Sequence, residues 1–347
     1  MTLIYFILIL SITIFIHELG HYIFAKKAGI YVYEFAIGMG PRIFTKKRKN
    51  DETTYSIRLI PLGGFVSMAG EQVEEDENIP KEKRLQSKTW GQRFMAVIAG
   101  VMFNFIFAIL LLFVLGLFYG APIDKPIVGG LEEGYPAVEA GIEEGDTIIS
   151  INNKSVKSWD DLLLYIELYK PGDKLSLEVE KENGKNESYE IIPKKITEDE
   201  TTYYKIGISP KSIKKYGLIP AVKYAVNKTG SLFKTMFIVI KNLITGDLGL
   251  NRLSGPVGIY NVVGESAAAG FENILYLIAF LSINIGFINL LPIPAFDGGR
   301  LLFLIIEKIK GKPVNSKVEN YIHAVGFVLL IGLLLVVTWN DISKIFG

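Results

Sequence analysis

The chain has 347 residues, room for two or three structural units. Half of them are hydrophobic, and a mean hydropathy of +0.32 is too apolar for an ordinary soluble enzyme. A net charge of +1 gives no bulk attraction for nucleic acid, and the absence of cysteine excludes disulfides, thiolate zinc ligands and a cysteine nucleophile.

The first element is the apolar run Leu3–Ala25, expected as a transmembrane helix over 1–27. It reads as retained, because no basic residue precedes it and no small-x-small site follows. Near its end stands His17-Glu18-Leu19-Gly20-His21. Two histidines four apart share one helix face, so both imidazoles reach one cation, and Glu18 is placed to touch a water on it. This is the zinc-protease arrangement, with the carboxylate as general base. An ionisable residue at membrane depth costs about 2.5–3.5 kcal/mol on insertion scales, and a metal gives three of them a reason.

Residues 28–93 carry many basic side chains, which makes this loop cytoplasmic and the start of the chain external. Tyr55–Ile60 alternates like a strand, and Phe35–Pro41 and Pro61–Met68 are apolar and glycine-bearing. They are expected as membrane-associated β-hairpins dipping toward the metal, with a strand edge that captures extended substrate. Residues 94–118 form a second span; Asn104, near Ala99-Gly100, reads as a packing amide between helices.

From 119 to 200 the composition turns soluble and acidic. A turn and short helix (Gly134–Ile142), a strand after Gly145-Asp146, and a helix capped at Ser158 resemble a PDZ domain of the bacterial type. Ile127-Val-Gly-Gly130 is the nearest candidate for a carboxylate-binding loop, and a peptide is the expected ligand. Residues 201–272 read as a linker and an interfacial amphipathic helix, since Lys223, Lys228, Lys234 and Lys241 interrupt Ala221–Leu243.

Residues 273–310 are a third span, broken at Pro292 and Pro294, and 311–347 a cytoplasmic-side turn and fourth span. A zinc on two histidines needs a third protein ligand and leaves the fourth position to water. Asp297, the only acid between Glu272 and Glu307, is the expected ligand, with His323 as its rival. Four spans place the histidines and Asp297 toward the same side; a spanning 221–243 helix would separate them. The expected class is therefore a polytopic α-helical membrane protein of four transmembrane helices, with membrane-associated β-hairpins and an inserted extracytoplasmic PDZ-like α+β domain.

His17–His21, Gly38–Pro41, Pro61–Met68, the PDZ-like insertion and Asn289-Leu-Leu-Pro-Ile-Pro-Ala-Phe-Asp-Gly-Gly299 together resemble the site-2 protease family of intramembrane zinc metalloproteases, in its bacterial branch with one PDZ domain. The resemblance implies one zinc ion on His17, His21 and Asp297, Glu18 as catalytic base, and Asn289 and Asn284 as substrate-positioning or oxyanion-stabilising residues. Val101 stands where many members have proline. The implied activity is cleavage of pre-trimmed single-span proteins within a bacterial cytoplasmic membrane, with the active site toward the cytoplasm. Two other classes fit the residues: a membrane metal transporter, which needs no glutamate beside its histidine, and an inactive PDZ scaffold.

Overall fold

The computed structural model describes residues 1–71, 78–198, 201–250 and 253–346. In chain order the helices are α1 (Thr2–Lys27), α2 (Trp90–Leu115, continued by a wider turn to Gly120), α3 (Pro136–Glu139), α4 (Trp159–Glu167), α5 (Leu218–Thr245), α6 (Pro256–Ala268), α7 (Phe271–Leu290), α8 (Asp297–Lys310) and α9 (Ser316–Phe346). The strands are β1 (Val32–Lys47), β2 (Thr54–Met68), β3 (Ala121–Pro122), β4 (Val128–Leu131), β5 (Thr147–Ile151), β6 (Lys154–Ser155), β7 (Leu175–Glu180), β8 (Asn186–Ile191), β9 (Lys194–Glu198), β10 (Thr201–Lys205), β11 (Ile208–Pro210) and β12 (Lys214–Lys215). Two compact units result: Met1–Leu111 with Gly258–Val336, and Leu112–Val257 with the segment from Val337.

Among the described residues four helices are long and apolar enough to cross a membrane: Thr2–Lys27, Trp90–Gly120, Phe271–Leu290 and Lys317–Ser343. The protein is a polytopic membrane protein. α5 is not one of the four. Its buried residues Ala221, Ala225, Leu232 and Met236 share one face. Val222, Val226, Phe233, Phe237 and Ile244 are exposed along another.

In the first unit, α1 packs on α6 and α7 through Ile9, Val263, Ile274, Leu277, Ile278 and Leu281. β1 and β2 pair antiparallel, and each bends on itself. Val32–Ile37 pairs with Gly64–Met68 on one side and Thr54–Ile57 on the other, while Arg42–Lys47 pairs with Thr54–Arg58. Gly38, Gly40 and Gly63 take positive φ at the bends (87°, 81° and 93°), which only glycine adopts freely. Glu34 closes the fold. Its carboxylate, 5% exposed, accepts from Ser56, from Arg42 at 2.5 Å and from Arg58 at 2.8 Å.

In the second unit, a four-stranded sheet of order β6-β5-β7-β8 covers a core containing Ile148, Leu162, Leu175 and Leu177. Ser158 caps α4 as expected, accepting from the Asp161 amide at 3.1 Å. The carboxylate-binding loop looked for at Ile127–Gly130 is instead largely strand: β4 pairs with β11. A Cβ on Gly129 would meet the Lys211 backbone at 2.3 Å, and the Val128 amide already donates to Asp146. With its amides engaged and a neighbouring strand against it, this segment has no open anion nest. α5 is tied to α4 by Lys228–Asp160 at 2.7 Å and Lys234–Asp161 at 2.6 Å.

Candidate metal centre

His17 and His21 face inward from α1 and are 6% and 7% exposed. Their Nε2 atoms lie 3.2 Å apart. Each is also 3.1 Å from Oδ2 of Asp297, the first residue of α8. Ligands held at zinc's usual 2.0–2.1 Å in a tetrahedron stand roughly 3.3 Å from one another, so the triangle has the size a zinc requires. The donor set fits too: imidazole nitrogens and a carboxylate oxygen converge, and Asp297 Oδ2 has no hydrogen-bond donor among the described residues. Lone pairs turned on each other repel, and a metal ion shared by the three atoms would relieve this.

Glycines make this approach possible. A Cβ on Gly20 would lie 2.4 Å from the Ala99 carbonyl oxygen, and one on Gly100 would lie 2.3 Å from His21 Nε2. α2 therefore lies directly against the histidines. The Ala96 carbonyl accepts from His21 Nδ1 at 2.8 Å, and the Asn104 amide meets His17 Nδ1 at 3.2 Å. Between α7 and α8 the prolines end the helix, as expected. A Cβ on Gly298 would sit 2.1 Å from the Leu291 carbonyl oxygen and one on Gly299 2.6 Å from that of Ile293, so α8 starts tightly against the turn. Ala295 has φ of +78°, a conformation unfavourable to a side chain.

His323, the rival ligand, does something else. Its Nδ1 accepts the Ala295 amide at 3.0 Å and so holds the left-handed turn two residues before Asp297. The residue pattern carried no signal for this bond, since the partner is a backbone amide.

Glu18 lines a cavity of about 710 Å³ with His17, His21, Asn289 and Asp297, and Gly64–Met68 forms another wall. That strand segment pairs with β1 on one side; a Cβ on Gly64 would lie 3.5 Å from Glu18 Cγ. Asn289 donates to the Ile285 carbonyl at 3.0 Å from the cavity wall. Asn284 donates to Phe280 at 3.0 Å and is not among the lining residues. The structure thus brings together five of the six residues singled out from sequence and leaves Asn284 apart. Sequence reasoning passed over Ala96; it marked Ala99-Gly100 and Asn104 only as helix packing, although Gly100-x-x-x-Asn104 places a gap and an amide one turn apart on a face turned to the histidines.

Helices of membrane-spanning length enclosing such a cluster define a class, the membrane-embedded metalloproteases. The description of peptidase family M50 matches residues 5–333, and the chain belongs to that family, the site-2 proteases. It is 36% identical to zinc metalloprotease RasP of Bacillus licheniformis, across 99% of both chains. It is equally 36% identical to regulator of sigma-W protease RasP of Bacillus subtilis, again across 99% of both. With zinc metalloprotease RasP of Geobacillus kaustophilus the identity is 35%, over 99% of this chain and 98% of the other. The protein is an intramembrane zinc metalloprotease.

Proposed function

We propose that zinc is held by His17, His21 and Asp297 and that Glu18 is the catalytic base in cleavage of transmembrane segments. The carrying observation is the triangle of donor atoms, 3.1–3.2 Å on a side, in a cavity that Glu18 lines. Zinc there supplies Lewis acidity, polarising the scissile carbonyl and acidifying water. Glu18 takes the proton of the attacking water and returns it to the leaving amide nitrogen. Asn289, on the cavity wall, orients the substrate or steadies its developing oxyanion; Asn284 donates to the Phe280 carbonyl and is not among the lining residues.

A helical substrate hides its carbonyls in its own hydrogen bonds and must unwind to be cut. Gly64–Met68, paired with β1 on one side and facing the cavity on the other, offers an edge for strand addition. Met39, Ile43, Phe44, Leu59 and Ile60 of the same hairpin are exposed and apolar, which supports its immersion in lipid.

The substrates we assign are single-span membrane proteins already trimmed outside a bacterial cytoplasmic membrane. Basic residues in 28–93 and 300–317 put the active site toward the cytoplasm. Residues 119–200 are then an extracytoplasmic PDZ-like domain that binds peptide and excludes untrimmed proteins. α5, with an exposed apolar stripe beside Lys223, Lys234 and Lys241, lies at the lipid interface. The test is zinc content and cleavage of a single-span substrate by purified wild type and Glu18→Gln. One zinc in both, with cleavage in wild type alone, is expected; no zinc in either would refute the ligand assignment. Selectivity unchanged on deleting 124–195 would refute the filter.

A further inference from the structure

We propose that Asn104 is a positioning residue of the metal centre: its amide oxygen accepts the Nδ1 proton of His17 and so turns the Nε2 lone pair of that ring toward Asp297. The inference rests on the reading of His17, His21 and Asp297 as zinc ligands.

A neutral imidazole has two nitrogens and one proton, and only the bare nitrogen can bind a metal. For His21 the choice is made by the backbone. The Ala96 carbonyl, 2.8 Å from Nδ1, can only accept, so Nδ1 carries the proton and Nε2 is bare. His17 faces the same requirement, because its Nε2 is 3.1 Å from Asp297 Oδ2. Its Nδ1 therefore needs an acceptor, and the polar group against it is the Asn104 amide at 3.2 Å.

An amide has one accepting end and one donating end. With the nitrogen toward His17, Nδ1 would have to accept, its proton would move to Nε2, and the ligand position would be blocked. A half-turn about Cβ–Cγ puts the oxygen on Nδ1–H and frees Nε2, without moving another atom.

The side chain is held where this requires. Asn104 is 0% exposed. Its own carbonyl accepts the Ser282 hydroxyl at 3.0 Å, which ties this turn of α2 to α7. A Cβ on Gly286 would come within 3.3 Å of Asn104 Cβ, so α7 packs closely against it. Ala96, Gly100 and Asn104 succeed one another every four residues. One face of α2 thus supplies an acceptor for His21, room for its ring, and an acceptor for His17. An amide serves at this depth because it accepts without adding a charge to an apolar interior.

The test measures zinc affinity of the full-length protein in detergent, by competition with a chromophoric chelator, for wild type, Asn104→Asp, Asn104→Leu and His17→Ala. Zinc-free thermal unfolding of each is measured alongside. Removing a partner of a metal-bound histidine typically weakens binding by about 10–100-fold. Asn104→Leu, similar in size and without an acceptor, is expected to fall in that range, and Asn104→Asp, which keeps the acceptor, to stay within about fivefold of wild type. Equal affinity in Asn104→Leu and wild type would overturn the inference while leaving the ligand assignment intact. Equal losses in Asp and Leu variants, with matching drops in zinc-free stability, would also overturn it and make Asn104 a packing residue only. Wild-type affinity in His17→Ala would remove the ligand assignment and this inference with it.

Discussion

Two carboxylates in the same unit, Glu34 buried and Asp297 partly buried, are provided for in opposite ways. Glu34, in the paired segment of β1 before its bend, is surrounded by Arg42, Arg58 and Ser56, all donating to it. Asp297 points Oδ2 at two imidazole nitrogens and receives no donor on that atom among the described residues. Burial alone would push Glu34 up, but donation from Arg42, Ser56 and Arg58 prevails and holds it down at about 2. The first carboxylate is satisfied by the protein and does structural duty. The second faces two imidazoles that could hold a metal ion with it, and the absence of a donor on Oδ2 among the described residues sets it apart from the ion-pair cluster more sharply than burial or charge does.

This contrast can be broken experimentally, and the largest effect belongs to the incomplete cluster. His17→Ala or Asp297→Ala is expected to lose bound zinc and reduce cleavage to background, read as metal content and product formation on one preparation. Glu18→Gln should keep zinc and lose about 10²–10⁴-fold in rate, the usual share of general acid–base catalysis. Gly100→Ala forces a methyl into the space of His21 Nε2; zinc affinity should fall at least tenfold while the second unit, probed by protease resistance, is unaffected.

The satisfied cluster should answer in stability instead. Glu34→Ala strands Arg58 and is expected to cost about 2–4 kcal/mol, toward the lower end because Arg42 is half exposed, while zinc binding persists. Its pH dependence has a definite sign. A carboxyl lowered in the folded state contributes stability above its unfolded value near 4.5, and the contribution is lost as pH falls toward 2. Unfolding midpoints across that window should drop in wild type and flatten in Glu34→Gln.

The smallest effect lies in the second unit. Asp124 is raised to about 6, chiefly by burial against the opposing pull of Lys228. The folded state then keeps this proton longer than the unfolded chain does, so stability declines as pH rises from about 4 to 6. Asp124→Asn should remove that slope, with a gain at neutral pH below about 1 kcal/mol after solvent screening.

The legible parts of this molecule were those written in local pattern. The HExxH spacing needs only one helix to bring His17 and His21 to one face, and two prolines end a helix wherever they fall. Asp297 could be chosen from sequence because so few acids interrupt the apolar runs. The failures were of another kind. Ile127–Gly130 looks like an open glycine loop until β11, some eighty residues later, pairs with it. Asp297 was preferred to His323 from sequence, but the bond that His323 Nδ1 accepts from the Ala295 amide was not legible there.

Composition and spacing by themselves determined the membrane class, four helices long and apolar enough to span, the pairing of His17 and His21 on one face of α1 and the break before Asp297, because these follow from hydropathy and the helical repeat. Tertiary structure decided which carboxylate arginines surround and which faces two imidazoles, which group stands against each histidine Nδ1, and why Gly20, Gly100, Gly298 and Gly299 carry no side chain. Those depend on distances of 2–3 Å between atoms far apart along the chain, and such distances exist only once α1, α2, α7 and α8 have packed.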